Sequence, residues 1–160
     1  MQRIRSTDVD LVSSYLHDSV FLLRDTSFDQ SGNLLAILLS RIYYEEPKRG
    51  RFLFLIPCTR FRCISSRLEI PNVVAVDYRW QDEAFNRPGD LHTLLRIRLI
   101  DDESLEVETE YVVLRVQLSR FTGILLTDTS GPTKGYRVTD LSRWQGYRDV
   151  VESMKKERME

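Results

Sequence analysis

The pair His17–Asp18 is the first place in the chain where side chains suited to acid–base chemistry stand together. An imidazole held by a carboxylate can act as a general base, and with a nucleophile it forms a catalytic triad. Triads are assembled from residues distant in sequence, however, and adjacent residues on a helix do not face each other. We therefore interpret His17 as the last turn of a helix and Asp18 as its exit, and we predict no catalytic residue.

Disulfide formation and metal binding are the chemistries open to Cys58 and Cys63. Five positions apart on one strand, the two side chains would point to opposite faces and could not form a disulfide. A zinc site would need more ligands than these two thiols and the histidines His17 and His92 provide. His92 stands between a Gly-Asp turn and a strand, which predicts a surface position. We expect two reduced thiols and no metal site.

The segment SGPTKG, residues 130–135, invites comparison with a phosphate-binding loop. The Walker pattern places a lysine directly after its second glycine, whereas Lys134 precedes Gly135. The carboxylates lie in loops such as 101–103 or along one charged strand, not in an apolar setting suited to acid–base catalysis. We predict no cofactor, and an enzyme of unknown class is kept only as a second alternative.

A basic stretch at residues 48–67, KRGRFLFLIPCTRFRCISSR, contains six basic residues and no acidic one. Such a stretch can bind phosphates while its aromatic rings stack on bases. Glutamates flank it, however, and the net charge of −1 lacks the basic excess typical of nucleic-acid-binding domains. Anion or nucleic-acid binding is therefore the alternative function, less favoured than protein binding, and would use Lys48, Arg49, Arg51, Arg60 and Arg62.

The composition is that of an ordinary globular protein. Of 160 residues, 42% are apolar and 29% are charged, which suits one domain around one core. No segment approaches the roughly 20 apolar residues that a membrane-spanning helix needs, and the opening MQRIRSTDVD lacks the apolar run of a signal peptide. We expect a cytoplasmic protein with no membrane partner.

Apolar spacing predicts one helix followed by several strands. Leu11, Val12, Tyr15 and Leu16 form one helical stripe, so we predict a helix over 7–18 capped by Thr7. Polar gaps at 29–33 and 45–50 predict turns, residues 71–90 predict a surface excursion with a short strand at 73–76, and 127–135 predicts a loop. Strands are predicted at 21–28 and 34–44, which would form a hairpin, and at 51–64, 94–100, 105–113 and 112–121, the last favoured over a short helix. Pro57 should split the run 51–64 or mark an edge or a bulge.

The clearest predicted hairpin joins 94–100 to 105–113. Arg96 and Arg98 share a face of the first strand, and the alternating glutamates from Glu106 share a face of the second. Residues directly opposite each other in a hairpin lie on the same face of the sheet. The arginines therefore face the glutamates only in a register where the residue numbers of each opposed pair sum to an even number. The apolar residues expected to point inward are Leu95, Ile97, Leu99, Leu105 and Val107.

Together these elements predict an α+β fold. A mainly antiparallel β-sheet of five to six strands packs one face against the N-terminal helix, and apolar spacing from Asp140 predicts a C-terminal helix. We assign residues 1–126 to a single α+β domain, and 127–160 to a loop and C-terminal helical extension of that domain.

Short motifs between Thr7 and about Gly123 resemble a bacterial family of small uncharacterised proteins, a domain of unknown function. The resemblance rests on Asp10-Leu11, Leu16, Asp18-Ser19-Val20, Arg41 followed by aromatic residues and Glu45, and Val107-Glu108. It implies no established activity, cofactor or catalytic residue. The family has a polar, non-titrating residue where this chain has His17, which argues further against catalysis at that position.

The sequence favours a non-catalytic protein-interaction module. Its partner would be an unknown protein or, by self-association, a second copy of the chain. Tryptophan and tyrosine most often dominate the energy of protein interfaces, and both residue types occur in the excursion at 71–90 and in the tail. The predicted partner-binding residues are Tyr78, Trp80, Phe85, Trp144 and Tyr147.

Overall fold

The computed structural model describes residues 3–52, 56–81, 87, 89–131 and 133–138. Of residues 44–52, 56–61 and 133–138 it describes the backbone only. The elements are β1 (Arg3–Ser6), α1 (Val9–Leu16), β2 (Val20–Leu22), a 3-10 turn (Leu23–Asp25), β3 (Thr26–Asp29), β4 (Leu34–Phe52), β5 (Ile56–Pro71), β6 (Val73–Trp80), β7 (Leu91–Asp101), β8 (Ser104–Thr109), β9 (Val112–Leu118), β10 (Ile124–Asp128) and β11 (Thr133–Val138).

The strands follow one hydrogen-bonded path in the order β1-β10-β5-β4-β2-β7-β8-β9-β6, with β3 also paired to β4 and β11 to β5. All neighbours are antiparallel. The short strand β2 links β4 to β7 and so divides the sheet in two. A large half contains β1, β3, β4, β5, β10 and β11, and a small half contains β6, β7, β8 and β9.

The predicted α+β fold with five to six strands and two helices is wrong. The described residues form a mostly antiparallel sheet of eleven strands with one helix of eight residues. The helix predicted from Asp140 lies outside the described residues, as does most of the predicted 127–160 extension. No helix in the described part of the chain is long and apolar enough to cross a membrane.

Three segments with the composition of turns or loops are strands in the structure. Residues 45–50, predicted as a turn, lie within β4; most of the first half of the 71–90 excursion is β6; and the ends of the predicted loop 127–135 belong to β10 and β11. Pro57 does not split its strand: it lies opposite Arg51 inside β5. No described strand pairs with the other side of β5 at Pro57, which agrees with the alternative prediction of an edge position. Pairing with a long neighbouring strand overrides local composition here, because strand formation depends strongly on context.

The helix α1 carries the predicted apolar stripe into the core. Its N-cap lies one residue later than predicted, because the Asp8 carboxylate, not Thr7, accepts a hydrogen bond from the Leu11 backbone N–H at 3.0 Å. Val12, Tyr15 and Leu16 are buried. The Ser13 hydroxyl accepts the backbone N–H of Ile97 at 2.8 Å and thereby fixes α1 against β7.

One hydrophobic core contains side chains from both halves of the sheet and from α1. Burial alternates along β8 and β9, where every second residue is almost fully inaccessible. Each large apolar side chain buried in this way contributes about 1.5–3 kcal/mol relative to exposure. Fully or almost fully buried core residues from the two halves include Leu35, Ile37, Leu68, Ile70, Leu94, Ile97, Leu105, Val107, Leu114 and Val116.

The hairpin of β7 and β8 confirms the predicted charge pairing. Arg96 faces Glu108 and Arg98 faces Glu106, with Arg98 Nη2 at 2.6 Å from Glu106 Oε2. Its hydrogen bond with Arg98 lowers the pKa of Glu106 below the ordinary value. The inward position predicted for Leu95 is wrong, because the register shifts between Leu94 and Arg96 and turns Leu94 inward instead.

A single residue, Asn72, joins β5 of the large half to β6 of the small half. Its φ of 63° lies in the left-handed region, which asparagine adopts more readily than most residues. The Asn72 side-chain amide donates to the Arg120 carbonyl at 3.1 Å and to the Thr122 hydroxyl at 2.9 Å. The chain therefore passes from one half of the sheet to the other at a corner held by hydrogen bonds.

Candidate functional site

The strand β6 forms one border of the sheet. It pairs with β9 along its length, from Val73 opposite Leu118 to Trp80 opposite Val112. Its other edge has no strand partner among the described residues. Such an edge presents backbone N–H and C=O groups that can pair with another chain. β1 borders the sheet at its opposite end and has only four residues, against eight in β6.

One face of β6 is apolar and continues the core. Val76, Tyr78 and Trp80 face Val116, Leu114 and Val112, which are all buried. Tyr78 is nevertheless 44% exposed, and Trp80 is only partly buried. Two aromatic side chains therefore lie where the core meets solvent, beside an unpaired strand edge.

The other face of β6 carries two opposite charges. Asp77 and Arg79 are exposed and stand opposite Arg115 and Val113 of β9. Neither forms an ion pair with another described residue; Arg115 instead places its Nε 3.2 Å from Glu106 Oε1. The border of the sheet thus offers an anion and a cation two positions apart, neither of which forms an ion pair within the described part of the chain.

The structure brings two of the five predicted partner-binding residues, Tyr78 and Trp80, to this edge. Phe85, Trp144 and Tyr147 lie outside the described residues. The predicted short strand at 73–76 is the first half of β6, and the prediction missed the second half, 77–80. The signal was present, because Val76 to Trp80 alternate strictly between apolar and charged side chains, as expected for a half-buried strand.

Behind Trp80 lies a buried histidine. His92 is fully inaccessible, so the predicted surface position is wrong: it pairs with Phe21 across β7 and β2 and faces the core. Its ring centroid lies 6.0 Å from that of Phe21, 6.3 Å from that of Trp80 and 6.1 Å from that of Tyr111. Trp80 therefore rests on an aromatic cluster and is held at the border with little freedom to reorient.

The imidazole in this cluster has few polar contacts. His92 Nδ1 lies 3.5 Å from the Thr109 hydroxyl oxygen, and Nε2 has no hydrogen-bond partner among the described residues. Burial lowers the pKa of His92 below its ordinary value, and the negative charges of Glu110 and Asp90 oppose that shift more weakly. The ring is therefore neutral at physiological pH and acts as an apolar support.

A second buried polar cluster joins three strands of the large half. Arg41 of β4 is 1% exposed, and its Nη2 donates to both carboxylate oxygens of Asp128 in β10, at 3.0 and 3.1 Å. The Ser66 hydroxyl of β5 donates to Asp128 at 2.7 Å and accepts from Arg41 Nε at 3.1 Å. The guanidinium also lies 4.7 Å from the ring centroid of Tyr15. These groups satisfy one another, so we assign the cluster to strand alignment.

The helix exit at His17 and Asp18 is confirmed, but the expectation that the two side chains cannot meet is wrong. Asp18 leaves the helix with a φ of 65°, and its Oδ1 lies 3.1 Å from His17 Nδ1. The His17 side chain is 40% exposed. The pair therefore lies at the surface and not at the bottom of a cleft.

The basic residues predicted to bind anions lie on β4 and β5. The structure describes only the backbone at Lys48, Arg49, Arg51 and Arg60, whereas Arg62 is described fully and is half-buried. The backbone register places Lys48 opposite Arg60, and Arg60 opposite Arg137 of β11. Three basic residues from three neighbouring strands thus occupy one row of the sheet.

A groove with a volume of about 780 Å³ lies beside β1. Arg3 and Arg5 line it, together with Leu34, Leu125 and Glu69, and the last is paired with Arg67 at 2.8 Å. Neither histidine lines this groove. The described residues also contain no group of three or more histidine, cysteine or acidic side chains placed to hold a metal ion.

Comparisons of the chain with protein-family models, with curated proteins and with solved structures found no match. The resemblance to a bacterial family of uncharacterised proteins therefore stays a prediction.

Proposed function

We propose that the protein is a non-catalytic protein-interaction module whose binding site is the free edge of β6. The partner supplies an extended segment that adds to β6 as a further antiparallel strand. One observation carries the proposal: an eight-residue border strand with an open edge holds two partly exposed aromatic side chains, Tyr78 and Trp80. Strand addition to an open sheet edge is an established mode of peptide recognition.

The chemistry of β6 defines the segment that would fit. Backbone hydrogen bonds supply affinity without regard to sequence, and side chains at alternate positions supply specificity. On the core side the segment places apolar residues beside Val76, Tyr78 and Trp80. On the outer side it places a basic residue opposite Asp77 and an acidic residue opposite Arg79, because opposite charges facing each other stabilise neighbouring strands.

The first prediction concerns Tyr78. The probe is a synthetic peptide of alternating threonine and valine with one lysine and one glutamate at its centre. We expect it to bind and to shift the amide NMR resonances of Val73–Trp80 before those of other residues. The change Tyr78→Ser removes an aromatic anchor, and we expect the dissociation constant to rise about fivefold or more.

The matched control is Val74→Ser, which removes another exposed apolar side chain from the same strand. Val74 lies where the register of β6 and β9 is irregular, outside the alternation of Val76, Tyr78 and Trp80, so this change should leave affinity within about twofold. Equal losses for both variants, or peptide-induced shifts located mainly on another element, would contradict binding at the β6 edge.

A second candidate function, polyanion binding, is favoured by one observation on the large half of the sheet. Lys48, Arg60 and Arg137 share one row across β4, β5 and β11. Like charges directly opposite each other destabilise neighbouring strands, and a bound phosphate chain would offset that repulsion. Arg62 lies two residues after Arg60 on β5 and would add a fourth basic residue next to this row.

The second prediction tests this row with a fluorescein-labelled DNA duplex and fluorescence anisotropy. If the row binds phosphates, affinity falls steeply with salt, and Arg60→Gln weakens binding and lowers the slope of log K against log salt by about one. Arg24→Gln, at an exposed site in the 3-10 turn, is the control and should leave the slope unchanged. Absence of binding at low salt would eliminate this candidate.

A further inference from the structure

We infer that the partner that adds to the β6 edge is a second copy of this chain. The two β6 strands lie antiparallel about a two-fold axis that passes beside Tyr78. This inference rests on the proposed function, since it uses the same edge and names its occupant. It follows from the order of charged and aromatic side chains along the strand, which is complementary to itself.

A two-fold axis fixes which residues can meet. If Asp77 of one copy faces Arg79 of the other, then Arg79 of the first must face Asp77 of the second. An axis beside Tyr78 produces this arrangement, with two ion pairs, one on each side of the axis. An axis beside Asp77 would oppose two aspartates, and an axis beside Arg79 would oppose two arginines. The two-fold register that pairs both charges is therefore the one centred on Tyr78.

The same register suits the apolar face of the strand. Val76 of one copy then faces Trp80 of the other, and the two Tyr78 rings face each other across the axis. Aromatic and β-branched side chains in such cross-strand positions stabilise a sheet, as do opposite charges. The pairing would cover the exposed Tyr78 side chains and leave neither Asp77 nor Arg79 without a partner.

Pairing in this way also covers the free edge of β6. A long unpaired edge strand is a hazard that natural proteins usually shorten, cover or charge, and β6 is neither short nor covered by another described element. In the dimer the small half of each copy continues into that of the other, in the order β7-β8-β9-β6-β6-β9-β8-β7. Such a closed pair has no free β6 edge, so growth stops at two copies.

The third prediction tests the register by sedimentation equilibrium of the full chain over a concentration series. The wild type should be a monomer–dimer system. Asp77→Arg places two arginines opposite each other, and Arg79→Asp places two aspartates opposite each other. We expect each variant alone to raise the dimer dissociation constant at least about tenfold. An equimolar mixture of the two should recover the dimer, because each arginine of one variant then faces an aspartate of the other.

The control Arg79→Lys keeps the charge and should stay dimeric. Asp77→Arg places its new arginine opposite Arg115 within its own chain and could fail to give the wild-type circular dichroism spectrum. In that case the comparison of Arg79→Asp with Arg79→Lys still tests the register. Any one of three results would overturn the inference. The wild type could be monomeric at every concentration, the dimer could persist in Arg79→Asp, or the two folded variants could fail to form a dimer when mixed. Because the dimer covers the edge that the threonine–valine peptide would occupy, we expect the peptide to bind in competition with dimerisation and to shift the wild type toward monomer. A monomeric wild type that still binds the peptide at Tyr78 would overturn the dimer and keep strand addition; a monomeric wild type that does not bind it would overturn both.

Discussion

Replacing Asp128 with asparagine is expected to lower the free energy of unfolding by about 3–5 kcal/mol. The Arg41 guanidinium is fully buried, and Asp128 is its bidentate partner at 3.0 and 3.1 Å. The asparagine amide has nearly the shape of the carboxylate but no charge, so the buried guanidinium loses the charge of its bidentate partner. Urea unfolding of both proteins at neutral pH, followed by circular dichroism, measures the difference.

Two further variants separate charge compensation from a general loss of ion pairing. Arg67→Gln removes the surface pair with Glu69 and should cost less than about 1 kcal/mol, since exposed ion pairs contribute little. The double change Arg41→Met with Asp128→Leu removes both buried charges and should recover most of the loss. A cost for Asp128→Asn no larger than that of Arg67→Gln would contradict the assigned role.

The buried cluster matters more for alignment than for total stability. Ser66 of β5 lies opposite Asp128 of β10 and opposite Leu39 of β4, which is two residues before Arg41. The contacts among Arg41, Ser66 and Asp128 therefore specify the register of three strands at once. A slip of one residue in either pairing would turn Arg41 or its partner to the opposite face of the sheet. We therefore expect the double apolar variant to unfold less cooperatively than the wild type, although its stability is similar.

Acidification is expected to destabilise the protein through His92. Burial holds the pKa of His92 below its ordinary value of about 6.5, so the unfolded chain binds a proton at higher pH than the folded one. The stability from the neutral, buried ring is fully present above about pH 6.5 and is lost as pH falls toward the pKa of the folded state. Each unit of depression corresponds to about 1.4 kcal/mol.

His92→Phe isolates this contribution. The phenyl ring fits a cluster formed by Phe21, Trp80 and Tyr111, cannot be protonated, and removes an imidazole nitrogen without a hydrogen-bond partner. Urea unfolding between about pH 7.5 and 5 should show a smaller decline for this variant than for the wild type. Parallel stability curves for the two proteins would show that His92 does not titrate on unfolding in this range.

The sequence was most informative where neighbouring strands are also neighbours in the chain. The charge alternation of Arg96 and Arg98 against Glu106 and Glu108 predicted both a hairpin and its pairing, and the structure has both. The apolar stripe of α1 was predicted in the same way. The predicted hairpin of 21–28 with 34–44 is only partly right, because the structure divides 21–28 into β2, a 3-10 turn and β3, and β3 forms the hairpin with β4. In these elements the spacing of side chains within a few turns or residues decides the structure.

Elements that depend on distant partners were not predictable in this way. Residues 45–50 have the composition of a turn, yet they continue β4 because β5 pairs alongside; and His92 looks like the start of an exposed strand until β2 is placed beside it. The candidate site shows both cases. Tyr78 and Trp80 could be selected from residue type, whereas the open edge that makes them a site depends on the order of all the strands.

The pairing of β1 with β10 has a consequence for how the protein is made. Arg3 faces Thr127 and Ser6 faces Ile124, so β1 finds its neighbour about 120 residues later in the chain. At translation rates of roughly 5–20 residues per second, that neighbour leaves the ribosome roughly 6 to 24 seconds after β1. During this interval the nascent chain carries β1 without the strand that it pairs with in the folded protein, and the sheet can be completed only after β10 has been made.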